Sequence, residues 1–397
     1  MNPWKVASTP QVVYAKTPLP KVMRQGIFLA GPTPRDKSVP SWRPEALRLL
    51  AERGYSGHVF VPEPSDGVWT GNYIDQVDWE ESALNQSDCI LFWIPRDMQT
   101  MPALTTNDEW GTWKFSGKAV LGTPPNAPHV KYQRHYAAKL GVRVADTLAE
   151  AVDLAVAKVG NGAERTGGEC QVPLHVWNRP DFQQWLRAQR GAGNRLDGAR
   201  LMWAFFVGPN RDRLFLYTLH VNVYIASENR NKINEVVLYR PDISTVVLIR
   251  PATNPLDSEV VLVREFRSPA STPDGMVHEV PGGSSAKPGE DPVEVAVHEV
   301  SEETGLTLDP SRLVPLGARQ LTSTLSAHKA SVWCACLTAS EMDEVRAMVV
   351  ANVTHGVVQD TERTYLEIRT VRQILGGTRD VDWSMVGMIL QAITRST

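Results

Sequence analysis

The 397-residue chain has few cysteines, no long apolar run, no strong excess of either charge and no repeat or low-complexity tract. Each shortage narrows what it can be. Cys89, Cys170, Cys334 and Cys336 are all its thiols, and none stands in a Cys-x-x-Cys spacing. A zinc site is therefore not expected, and a reducing cytoplasm fits. No stretch approaches the roughly 20 apolar residues of a membrane helix. The opening MNPWKVASTPQVVYAKTPLP lacks the apolar core of a signal peptide, and its prolines read as an extended lead-in. The expectation is a soluble, cytoplasmic protein with no membrane partner. With 41 Lys and Arg against 44 Asp and Glu, the formal charge is −3. The basic footprint of a nucleic-acid binder is missing, so no nucleic-acid partner is expected. What is present, 42% hydrophobic and 21% charged residues, describes a globular protein long enough for two or three domains.

From Gly26 the chain alternates short apolar runs with amphipathic ones. GIFLAG (26–31), HVFVPEP (58–64), CILFWIP (89–95) and KAVLGTP (118–124) read as strands. WRPEALRLLAERG (42–54), WEESALNQSD (79–88), TNDEWGTWKFSG (106–117) and TLAEAVDLAVAKV (147–159) read as helices. Such alternation predicts an α/β domain over 24–160, with a doubly wound parallel sheet covered on both faces. GNGAERTGGE (160–169) carries four glycines and no apolar run, which predicts a linker at 161–170. Strand-like runs then dominate 171–397, interrupted by one strong acidic helix and closed by SMVGMILQAI. This second part predicts an α+β domain with a mixed sheet and an N-terminal extension.

In that acidic segment, EVAVHEVSEETGL (294–306), Glu299, Glu302 and Glu303 stand at i, i+3 and i+4 and share one helix face. By themselves they fit either a solvated helix or a site for a hard divalent cation. The longer stretch PGGSSAKPGEDPVEVAVHEVSEETGL adds a glycine-rich turn, Glu290 and Gly305 in register. It resembles the Nudix box from Glu290 to Leu306, with His298 where that box has arginine. Ser284 occupies the leading glycine slot, with Gly283 one residue earlier. The resemblance implies that Glu299, Glu302 and Glu303 bind Mg²⁺, or Mn²⁺, with Glu302 and Glu303 catalytic. VVLVREFRSPASTPDGMVHEVPGG is similar to the corresponding stretch of ADP-ribose pyrophosphatase-type members, which implies substrate roles for Arg264, Arg267 and Glu279. Asp360 and Glu362 are candidates for the general base that the family draws from a later loop.

Three pieces of the first half, IFLAGPTPR, SDCILFWIP and NDEWGTWKFSGKAVL, resemble in order and spacing the nucleoside 2-deoxyribosyltransferase-like family. Glu109 stands near a helix start, where the macrodipole favours a carboxylate. The resemblance implies that Glu109 is the nucleophile on the anomeric carbon and that Asp88 protonates the departing base or fixes the sugar. It implies too that Gly31, Pro32 and Thr33 let the backbone approach the ligand. Arg35, Arg43 and Arg134 are candidates for a phosphate. The family's aromatic near the end of the first strand has no clear match here, and Phe28, nearby, lacks a hydroxyl. Relatives complete their sites across a subunit boundary, so a homo-oligomer is expected. Both halves together imply a bifunctional enzyme that acts on small-molecule nucleosides or nucleotides. The alternative is a nucleotide sensor whose second half binds without cleaving.

Overall fold

The computed structural model describes residues 9–36, 38–284, 290–356, 362–377 and 380–396. They divide into two compact units that end at Tyr239 and begin at Arg240. Among the described residues of the first unit, six parallel strands form a sheet. Their order is Gln11–Tyr14, His58–Val61, Gly26–Ala30, Cys89–Trp93, Ala119–Gly122 and Val144–Ala145. Counted from Gly26, the strands run 2-1-3-4-5, so the order reverses between Gly26–Ala30 and Cys89–Trp93.

Alternation along each strand supplies both faces. Ile27, Leu29 and Leu91 pack on Ala46 and Leu50 of the helix Arg43–Glu52 and on Val152 and Ala155 of the helix Leu148–Val159. Phe28, Ala30, Ile90 and Phe92 pack on Ala83 and Leu84 of the helix Tyr73–Gln86 and on Trp110 and Trp113 of the helix Leu104–Trp113. The doubly wound parallel sheet is as the sequence predicts. The lead-in is more than extended chain, because Gln11–Tyr14 pairs with His58–Val61 as an edge strand.

The stretch 161–170, expected as a linker, is instead folded into the first unit. Arg165–Thr166 pairs with Val22–Met23, and Gly167–Gln171 forms a 3-10 turn closed by Thr166 and Glu169. Its anchor is Arg165, whose buried guanidinium grips Asp88 through two bonds of 2.7 Å. Three antiparallel strands follow among the described residues, Arg195–Val207, Arg213–Ile225 and Arg230–Tyr239. They too belong to the first unit, although the sequence places them in the second domain. Asn85 donates to the Ala199 carbonyl at 2.9 Å, and Arg200 pairs with Glu81 at 2.7 Å. The compact boundary therefore falls after Tyr239.

Among the described residues of the second unit, eight strands form the mixed sheet expected there. Ile243–Arg250 runs parallel to Lys329–Cys336 and antiparallel to Glu259–Phe266, which in turn carries Thr364–Thr370 and Met276–Glu279. The acidic helix spans Pro292–Thr304. Pro292 occupies its first turn, the Asp291 carboxylate accepts the Val293 N–H at 2.9 Å, and Gly305 closes the other end in a left-handed conformation. Ala296 and Val300 seat it on Val246, Leu248, Val261 and Val263. The helix Trp383–Ser396 covers the opposite face through Met385 and Ile389.

Candidate active sites

Where the strand order of the first unit reverses, the carboxyl ends of Gly26–Ala30 and Cys89–Trp93 meet a cavity of about 250 Å³. Ligands of open α/β sheets bind at such switch points. Gly31 lets the two strand ends approach, since a Cβ there would lie 2.2 Å from the Trp93 carbonyl oxygen. Beneath this turn the buried Arg43 donates from Nε to the Leu29 carbonyl at 3.1 Å and from Nη2 to the Gly31 carbonyl at 2.7 Å. Its Nη1 donates to Glu63 at 2.6 Å and to the Thr33 hydroxyl at 3.1 Å. The Thr33 and Ser41 hydroxyls also donate to Glu63. This network holds the turn in shape before any ligand arrives.

Glu109 lines the cavity from the second turn of Leu104–Trp113, and Glu80 lines it from Tyr73–Gln86. The dipole effect fades beyond the first turn, so the expected helix-start stabilisation does not govern Glu109. Burial instead pushes its carboxyl up to about 8; the Glu80 charge pushes the same way and Arg43 opposes. Burial also raises Glu80, against a 2.7 Å hydrogen bond from Gln76 and the charge of Arg43. Ala103, left-handed at φ 58°, turns the chain into the Glu109 helix at the cavity wall. Trp69 and Tyr73, both exposed, complete the lining with two aromatic faces and a hydroxyl.

In the second unit the Glu303 carboxylate accepts the Gly282 N–H at 2.9 Å. Gly283 makes room for Glu299, because a Cβ there would stand 2.5 Å from Oε1. Burial pushes Glu303 up to about 8 and Glu299 up to about 7, with Glu302 adding to the rise at Glu299. Glu265, buried, is raised in turn by burial and by the charges of Glu362 and Glu279. Arg267 bridges Glu265 at 2.9 Å and Glu279 at 3.0 Å. A place where desolvation and like charge raise several carboxyls together is short of positive charge.

Two family models match the chain. The model described as nucleoside 2-deoxyribosyltransferase like covers residues 24–127, and the NUDIX domain model covers 239–347. The chain joins a nucleoside 2-deoxyribosyltransferase-like domain to a NUDIX domain. A search of curated proteins found no match. These domains indicate an enzyme and imply small-molecule nucleotide substrates, and NUDIX domains generally use divalent metals such as Mg²⁺. Among the described residues, no helix is long and apolar enough to cross a membrane.

The cavity of the deoxyribosyltransferase-like domain brings together Gly31, Pro32, Thr33, Arg35, Arg43 and Glu109. Asp88 is elsewhere, a correction to the expected site. It precedes the strand Cys89–Trp93, whose far end reaches the cavity about 15 Å away by strand rise. Its oxygens are taken by Arg165, by the Leu174 N–H at 3.0 Å and by the Gly26 N–H at 2.9 Å. Asp88 is thus an anchor for chain crossings. Arg134 is also elsewhere, bound to the Thr123 hydroxyl at 2.6 Å and to Asp146 at 2.7 Å. Phe28 is wholly buried in the sheet. Sequence reasoning missed Glu80, Glu63 and Tyr73. The WEES run did place Glu80 on a helix, but nothing local aims it at a residue 29 positions later.

In the NUDIX domain, Arg267 and Glu279 lie on the glutamate side and Arg264 does not. Val261 and Val263 pack against the acidic helix, so the next residue of that alternation, Glu265, faces it and Arg264 faces away. Arg264 lies over the Tyr365 ring at 5.3 Å and pairs in register with His278. Glu362 is close enough for its charge to raise Glu265 and Glu299; Asp360 lies outside the described residues. His298 is 69% exposed, with Nδ1 3.3 Å from Glu302. Among the described residues, no three His, Cys, Asp or Glu side chains already form a metal cage. The donor set still fits Mg²⁺, which usually takes one or two carboxylates and completes its shell with water and phosphate. A cation would also offset the charge that raises Glu299 and Glu303.

Proposed function

We propose that the chain is a bifunctional nucleotide-metabolising enzyme. The deoxyribosyltransferase-like domain cleaves or exchanges an N-glycosidic bond, and the NUDIX domain hydrolyses a nucleoside diphosphate derivative such as ADP-ribose. The observation that carries this reading is geometric: Glu109 and Glu80 line the switch-point cavity of the first sheet, and Glu299 and Glu303 lie on one helix against the turn at Gly282 and Gly283, with their carboxyls raised.

In the first site Glu109 and Glu80 share one proton; in the competent form Glu109 is ionised and attacks the anomeric carbon while Glu80 gives the proton to the departing base. Water or a second base then releases the ribosyl ester. Glu80 takes the acid's role expected of Asp88, because it is the second carboxyl that lines the cavity beside Glu109. Trp69 and Tyr73 offer the base a stacking face, and Arg35 supplies charge for a monophosphate. In the second site, Glu299, Glu302 and Glu303 hold Mg²⁺ or Mn²⁺. Bound there, it would supply Lewis acidity to a phosphorus–oxygen centre and to water. Arg267 and Glu279 position the substrate, and Glu362 accepts the proton of the attacking water. A cytoplasmic homo-oligomer is part of the same reading, drawn from the low cysteine content and the family resemblance.

One substitution favours a second reading: His298 stands in the place of the box arginine and lies on the exposed side of the helix. On that reading the NUDIX domain binds a nucleotide without cleaving it and regulates the first domain. A panel of nucleosides, nucleotides and nucleoside diphosphate derivatives, with and without Mg²⁺, separates the two when read by mass spectrometry. The bifunctional enzyme releases free base through Glu109 and yields Mg²⁺-dependent monophosphate through Glu302 and Glu303. A sensor yields no monophosphate from any member of the panel. Base release unchanged in Glu109→Ala would sink the assignment of the first site.

A further inference from the structure

The first unit holds a second cavity, which shares no lining residue with the one at Gly31 and Glu109. It is the larger of the two, about 460 Å³ against about 250 Å³, and its size suits a small organic ligand. One wall comes from the sheet around Ala119 and Val120 and from the helix Leu148–Val159. The other comes from the hairpin that begins in Arg195–Val207, a segment outside both family matches. His175 joins the walls, its ring 6.0 Å from that of Phe206.

The lining has two characters. Phe115, Trp203, Phe205 and Phe206 are aromatic, and Trp203 and Phe205 stack at 5.8 Å with 14° between their planes. Both remain exposed, at 49% and 44%, so apolar ring surface is left uncovered. Lys114, Arg143, Lys158 and Arg211 bring positive charge, with Asp212 as the acid among the lining residues. Among the described residues none of these four cations makes an ion pair, in a chain whose net charge is −3. Burial lowers Lys158, and neighbouring Arg143 lowers it further. His175 Nε2 is buried without a hydrogen-bond partner, a group that native structures rarely leave unmatched. Uncovered ring faces, unpaired cations and an orphaned ring nitrogen all lack the same thing: a planar molecule that carries negative charge.

We propose that this cavity binds an aromatic anion of nucleotide size, its ring on the Trp203–Phe205 face and its phosphate or carboxylate at Arg143, Lys158 and Arg211. The site is separate from both reaction centres and does not depend on either activity.

Lys158 supplies a local readout that binding elsewhere on the chain does not move. The full chain and its Glu109→Gln variant, which cannot consume the probe through Glu109, are treated with an amine-acylating reagent. Modification of Lys158 is followed by mass spectrometry with adenosine 5′-monophosphate, adenosine or inorganic phosphate present. The monophosphate slows modification about tenfold once it exceeds its dissociation constant by about tenfold. Adenosine and phosphate, each offering half of the required chemistry, protect far less at the same concentration. Trp203→Ala and Arg143→Gln, both at exposed positions, keep the native circular dichroism and lose the protection. No protection by the monophosphate, equal protection by inorganic phosphate, or protection that survives Trp203→Ala overturns the proposal. So does protection that disappears in Glu109→Gln, because the probe would then be acting from the first cavity.

Discussion

The two candidate reaction sites both crowd carboxylates together, yet they relieve the crowding differently. In the deoxyribosyltransferase-like domain Arg43, whose charge acts on both acids, is buried and committed to Glu63 and to two backbone carbonyls. Glu109 and Glu80 therefore face each other's charge with little help, and a shared proton is the natural relief. In the NUDIX domain Arg267 pairs with Glu265 and Glu279 and acts on Glu303 through its charge alone, leaving the helix glutamates largely to a backbone N–H and to whatever cation arrives. On the proposed reading, one site moves a proton and the other holds a metal ion. The lesson is that a raised carboxyl does not name its chemistry; the occupation of the neighbouring cation does.

The sharpest way to break the comparison is to remove one acid from each site. Glu303→Gln removes the carboxylate held by Gly282, and NUDIX hydrolysis falls by about 10³, as loss of several kcal/mol of metal-assisted stabilisation requires. Free-base release from a monophosphate stays at the native rate. A parallel fall in both would mean that the sites are not independent. A control of comparable size lies away from both sites. Arg165→Met leaves Asp88 buried without its partner and destabilises the first unit by about 3–5 kcal/mol. Denaturant unfolding measures this, and the folded fraction at low temperature keeps its base-release activity. Activity lost while stability is retained would return Asp88 to the chemistry.

A smaller effect tests the proton logic. Because the competent form has Glu109 ionised and Glu80 protonated, kcat/KM for base release is bell-shaped in pH, and burial of both carboxyls holds the bell above the ordinary carboxylate range. Glu80→Gln removes the acid together with a charge that raises Glu109, so the maximum falls and the falling limb disappears. A falling limb that stays in place would show that Glu80 is not that acid. Stability reports the same raised carboxyl by another route. The folded value of about 8 lies above the ordinary 4.5, so what this group adds to stability is intact below 4.5 and lost as pH rises through 8. Glu109→Gln suffers no such loss. Its melting temperature therefore gains on the native chain between those pH values, by roughly 2–4 °C per kcal/mol relieved.

How much of this was legible depended on whether a site is local in sequence. Glu299, Glu302 and Glu303 sit within five residues on one helix, so periodicity alone puts them on one face, and the Nudix box extends the pattern to the turn at Gly283. Glu109 was legible through its motif. Its partner Glu80 was not, because it comes from another helix and meets Glu109 only once the sheet has set their positions. Asp88 misled for a related reason. An acid beside a buried strand promises function, and here the promise was answered by Arg165 from a stretch read as linker. Arg264 and Arg267 differ by three positions and looked equivalent. Strand alternation turns Arg264 away, and Arg267 lies just past the strand's end at Phe266, where it swings to the acids.

His298 carries the smallest predicted effect and the question that separates an enzyme from a sensor. The box arginine orients the glutamates, whereas His298 pairs with Glu302 at 3.3 Å and acts on Glu299 through its charge alone, from the solvent side of the helix. Exposed pairs of this kind contribute little. Glu303 is positioned by the Gly282 N–H and Glu299 lies against Gly283, neither of which needs residue 298. The helix geometry that a metal would use is thus set from the sheet side. His298→Ala accordingly lowers Mg²⁺-dependent kcat/KM by less than about fivefold, and His298→Arg changes it by no more than that. A variant with arginine that gained activity by orders of magnitude over an inert native domain would show that residue 298 does govern the glutamates. The NUDIX half would then be a sensor that a single substitution turns into a hydrolase.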